Sequence, residues 1–98
     1  MIRCFKLING EEIITAVLDN SDLSVYLMKE PCVIVLQQNS SGGVSMALAP
    51  YQPYCVGNIL LIKTAIASEG DPNPQLENEY RKHFGSGIVV APASILLG

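Results

Sequence analysis

Leu7-Ile8-Asn9-Gly10-Glu11-Glu12-Ile13-Ile14-Thr15-Ala16-Val17 decides the fold, because Asn-Gly between two apolar runs is the strongest short-range signal for a β-hairpin. A type I′ turn needs positive φ at both central residues, and Asn and Gly tolerate it best. The spacing therefore predicts a tight turn at Asn9-Gly10. Reading outward, Phe5 and Leu7 share one face before the turn, and Ile13, Thr15 and Val17 share one face after it. The chain opens as an antiparallel sheet.

Beyond the turn formers Asp19-Asn20-Ser21-Asp22, the residues Leu23, Val25 and Leu27 alternate with Ser24, Tyr26 and Met28 and read as a third strand. Pro31 interrupts it, having no N–H to donate, and Cys32 to Gln38 resumes as a β-branched run. One bent strand or two separate strands satisfy this pattern. Asn39-Ser40-Ser41-Gly42-Gly43 reads as a connection, and Val44, Met46 and Leu48 alternate beyond it, so these two runs should pair. Pro50-Tyr51-Gln52-Pro53-Tyr54 stops the alternation; its tyrosines suit either the edge of a core or a partner surface. After a turn at Gly57-Asn58, Ile59 to Ala67 is apolar at nearly every position, as in a strand buried on both faces.

One helix is signalled, over about residues 74–84. Asn73 suits its N-cap, Pro74 its first position and Gly85 its stop, with acids early and bases late. Leu76, Tyr80 and Phe84 form a narrow apolar stripe, and Glu77 can pair with Arg81. Ile88-Val89-Val90 reads as a short strand within residues 86–98, ahead of an apolar tail that suits an edge strand, a subunit contact or an unstructured end.

The chain of 98 residues reads as a single domain, 49% hydrophobic and only 15% charged. So little charge leaves apolar surface for oligomerisation to bury. A net charge of −3 with no basic run argues against non-specific nucleic-acid binding. Cys4, Cys32 and Cys55 lack any Cys-x-x-Cys, so buried free thiols are expected rather than disulfides or a metal site. No apolar run is long enough to span a bilayer and the start runs straight into a strand pattern, so a cytoplasmic protein without membrane contact is expected. His83 and the cysteines have no partners at catalytic spacing, and no nucleophile elbow, zinc-protease motif or phosphate loop occurs; the chain reads as non-enzymatic, without cofactor or small-molecule substrate.

Leu7-x-x-Gly10-x-x-Ile13 followed by Leu23-x-Val25-x-Leu27 resembles the first motif of Sm and LSm proteins, and Gly57-Asn58-Ile59-Leu60-Leu61-Ile62 resembles the second, over roughly residues 3–67. The helix ending near Phe84-Gly85-Ser86-Gly87 is similar to that of short Sm-like proteins carried by marine phages. The resemblance implies a mainly β fold: a five-stranded, strongly bent antiparallel barrel with one C-terminal helix, whose fourth strand pairs with the fifth of the next subunit to close a homo-oligomeric ring. Val44, Met46, Leu48, Ile59 and Leu61 are then the interface candidates. By the same analogy an RNA pocket falls on Asn20, Asp22, Ser24, Gly57 and Asn58. The chain departs from the family there, because Asp22 stands where an aromatic residue would stack on a base and Val56 where an arginine would precede Gly57. Two functional readings follow: an Sm-like ring that binds or assembles protein or RNA, and a monomeric SH3-like adaptor that holds an extended peptide on Tyr51 and Tyr54.

Overall fold

The fold was analysed in a computed structural model that describes residues 1–18 and 22–84. The expected strand at Ile88–Val90 and the tail lie outside these residues. Six strands, β1 (Ile2–Leu7), β2 (Glu12–Val17), β3 (Val25–Gln38), β4 (Val44–Pro50), β5 (Ile59–Ile62) and β6 (Ile66–Gly70), form one antiparallel sheet, followed by the helix α1 (Pro74–Phe84). The order across the sheet is β4-β3-β2-β1-β6, and β5 continues the line of β4 along the same side of β3. β5 and β6 share no ladder, so the sheet is open rather than a closed barrel.

The first hairpin forms where expected, with Phe5 opposite Ile13, but with a different turn. Gly10 N–H donates to Leu7 O (2.9 Å), Leu7 N–H donates to Glu11 O (2.8 Å), and only Gly10 has positive φ (+92°). This is a three-residue loop built on a type I turn and a glycine bulge, which carries the same strand twist as a type I′ turn while sparing Asn9 a left-handed conformation. Asn39 to Gly43 repeats the arrangement, with Gly42 in the left-handed position.

The alternatives at Pro31 resolve in favour of one long strand with a bulge. Ile14 pairs with Cys32 and Ala16 with Lys29, so Glu30 and Pro31 together oppose Thr15. Glu30 takes φ +54°, the only non-glycine residue with positive φ among the described residues. The extra residue reverses the strand's facing. Before it, Tyr26 and Met28 point into the interior with Phe5, Leu7, Ile13 and Leu61; after it Val33 does so, and Cys32 and Ile34 turn outward. Of the expected third strand, Leu23 lies exposed in the turn before β3, and Met28 is the buried residue of its first half.

The outward-facing residues make a second core. α1 lays Leu76, Tyr80 and Phe84 on Ile14, Cys32, Ile34 and Leu48. Its start is fixed by Asn73 Oδ1 accepting the Leu76 N–H (2.8 Å), and Arg81 donates to Glu77 Oε2 at 2.6 Å. The apolar run 59–67 is not one buried strand, which is why six strands appear instead of five. A 3₁₀ turn at Lys63–Ala65 splits it, and only Leu61 of β5 is buried, whereas Leu60 and Ile62 are exposed.

Candidate functional site

The residues placed in an RNA pocket do not come together. Asn20 lies outside the described residues. Asp22 caps its own turn, with Oδ1 accepting the N–H of Ser24 (2.7 Å) and Val25 (3.0 Å), and these bonds hold its carboxyl below the usual carboxylate range. Ser24 O accepts the Lys63 N–H at 2.9 Å, so this end of β3 meets the 3₁₀ turn. Gly57 and Asn58 precede Ile59, which pairs with Met28 at the opposite end of β5, whereas Ile62 pairs with Val25. The residue that accompanies Asp22 and Ser24 is thus Lys63, not Gly57 or Asn58.

Lys63 Nζ stands 4.4 Å from the centroid of the Tyr26 ring, which packs on Phe5 at 4.9 Å. The Tyr26 hydroxyl donates to Glu69 (2.9 Å to Oε2), and Arg3 donates to Glu69 Oε2 (2.8 Å) and Asp71 Oδ1 (2.7 Å). The guanidinium, then the phenol, hold the Glu69 carboxyl below its usual range. This network ties β3 to β6 across the opening between β5 and β6, so side chains bridge what the backbone ladders do not. Both cations near the opening face neighbours on the chain itself, and two carboxylates sit among them. That arrangement offers little to a phosphate backbone.

The five interface candidates divide. Val44 and Met46 are exposed on β4, Leu48 is half-buried against α1, and Ile59 and Leu61 belong to the interior core. β4 pairs with β3 on one side only, and β6 with β1 on one side only. Two unpaired strand edges therefore stand at opposite ends of the sheet. No charged side chain occurs from Pro31 to Ile62, so β4 and the half of β3 beside it lack the lysines and acids that normally blunt an exposed edge. This feature was legible in the sequence as a blank in the charge pattern.

Tyr51 and Tyr54 also separate. Tyr51 packs on the interior core and only Tyr54 is free, beside a cleft of about 360 Å³ lined by Pro31, Pro50, Tyr51, Pro53, Ile59 and Phe84.

Sequence reading placed Tyr80 in the apolar stripe but missed its hydroxyl, which accepts the Ala16 N–H (3.1 Å) and donates toward Lys29 O (2.8 Å) and Glu30 O (2.9 Å). It serves the backbone groups that the bulge takes out of the ladder, and burial raises its pKa strongly. Among the described residues, no three His, Cys, Asp or Glu side chains are grouped to hold a metal, and no helix is long and apolar enough to cross a membrane. No protein-family model matches the chain, and no curated protein matches it either.

Proposed function

We propose that the chain is a non-enzymatic, Sm-like assembly module that adds β4 of one copy to β6 of the next, closes into a homo-oligomeric ring and presents that ring to a protein partner. The observation that carries the reading is the pair of unpaired edges at opposite ends of one bent sheet, one of them free of charge. Head-to-tail addition of identical edges either closes a ring or grows a filament, and strong curvature favours closure. RNA is the weaker ligand class, because the net charge is −3 and the acidic Asp22 occupies the stacking position.

Light scattering behind a sizing column tests the assembly, with uridine-rich RNA titrated at two salt concentrations on the same sample. A stable mass of several subunits without salt-dependent RNA binding supports the reading. A tight, salt-sensitive RNA complex would transfer the function to nucleic acid. A monomer at all concentrations removes the ring and leaves the adaptor, which the cleft beside Tyr54 favours.

A further inference from the structure

The helix-bearing face of the sheet carries a trough of about 430 Å³ that runs from one free edge to the other. At the β4 end it is lined by Leu36 and Met46, which pair across the strands. Val44 lies two residues further along the same face. These three side chains are large, apolar and open to solvent, at 63%, 45% and 67% exposure for Leu36, Met46 and Val44. At the β6 end the trough is lined by Ser68, Gly70 and Cys4 under the first turn of α1 at Leu76. Those positions are small.

Gly70 is the informative one. Its φ is not in the left-handed region, so its conformation does not call for glycine. A Cβ built there meets nothing within 4 Å, so crowding inside the subunit does not call for glycine either. The fold leaves an unfilled notch at one edge and a ridge of unfilled apolar side chains at the other.

Resting on the head-to-tail pairing proposed above, we infer that the occupant of the Ser68–Gly70 notch is the Val44–Met46 ridge of a second copy of this chain. The ridge lies against Cys4 and Leu76 of that neighbour. β4 beside β6 places both on the same helix-bearing face of a continuous sheet. The ridge carries no charged side chain, and at the notch Lys6, beside Ser68, lies opposite Glu12 on β2, while Glu69 accepts hydrogen bonds from Arg3 and Tyr26. Size complementarity also selects orientation. Two β4 edges would set Met46 against Met46 and leave both notches empty, whereas β4 on β6 fills a notch at every seam.

Gly70→Leu tests the inference, since a Cβ there meets nothing within 4 Å of its own subunit and the rest of the side chain extends into the notch. The expected result is a one-subunit mass with an unchanged far-ultraviolet spectrum and a melting temperature that no longer depends on protein concentration, and Ser68→Leu, at an exposed position, should do the same. In a Cys4→Ala, Cys55→Ser background, which leaves only the buried native thiol Cys32, Met46→Cys with Ser68→Cys and a short bismaleimide should give a ladder of cross-linked multimers. If the unaltered chain is monomeric, the head-to-tail reading itself fails. If it is oligomeric and both filled-notch variants keep its mass, the seam assigned here is wrong while assembly stands. Cross-linked pairs from Met46→Cys alone would show β4 against β4, which also overturns it.

Discussion

Tyr80→Phe isolates the role of one hydroxyl in holding a strand bend. The ring stays, with its contacts to the outward core and to Phe84 at 5.1 Å between centroids. What is lost is the acceptor for the Ala16 N–H and the donor for Lys29 O and Glu30 O. Lys29 O keeps a second donor in the Thr15 hydroxyl at 3.1 Å, so the main cost is the half-buried Ala16 amide left without a partner. An unsatisfied buried donor costs about 1–3 kcal/mol, and partial burial places this one at about 1.5 kcal/mol. For a domain of this size that lowers the melting temperature by roughly 6–12 °C. Urea denaturation followed by circular dichroism measures it, with Thr15→Val and the double variant completing a cycle. Because both hydroxyls serve the Lys29 carbonyl, the double variant should lose more than the sum of the two single ones. A Tyr80→Phe protein within about 0.5 kcal/mol of the original would refute the reasoning, since a surface-like change of that size is what a hydroxyl facing water gives.

Other outcomes follow from the same geometry. Glu69 has a folded pKa held below its ordinary value of 4.5 by Arg3 and then Tyr26, so its contribution to stability is present above that value and is lost as pH falls below it; Glu69→Gln should flatten the acid side of a stability–pH curve. In thiol labelling read by mass spectrometry, exposed Cys55 should react first, half-buried Cys4 slowly, and Cys32, whose pKa burial pushes up to about 12, only on unfolding; prompt modification of Cys32 in the native protein would contradict its place under α1. Glu30→Val puts a β-branched side chain at φ +54° and should cost about 1–2 kcal/mol in the same denaturation assay, with Glu30→Gly close to neutral as the control.

The local signals in the sequence translated directly into structure. Asn73, Pro74 and the i, i+4 stripe fix α1 because a cap and a helical face involve only neighbours in the chain. Asn9-Gly10 located the hairpin but not its turn, since a three-residue loop uses the same glycine with Asn9 unstrained. The split of 59–67 was illegible because an apolar run looks the same whether all its residues are buried or, as with Leu60 and Ile62, alternate ones are exposed. The described pocket residues lie apart for a topological reason. Gly57-Asn58 and Asp22 sit at opposite ends of β5, and only the strand pairing reveals that Lys63 is the neighbour. Likewise Tyr80 advertised its ring by periodicity, whereas its hydroxyl answers a bulge some fifty positions away in the chain, at Lys29 and Glu30.

That bulge gives β3 a phase. Losing a single residue at Glu30 or Pro31 would leave Val25–Met28 as they are and rotate everything downstream by half a period, sending Ile34 and Leu36 inward and Val33 and Val35 out to where α1 now rests. A point deletion here would act less like local damage than like turning half a strand inside out. The tolerance of this segment to insertion and deletion should accordingly be far lower than that of the Asn39–Gly43 hairpin tip, where an added residue displaces nothing that the two cores depend on.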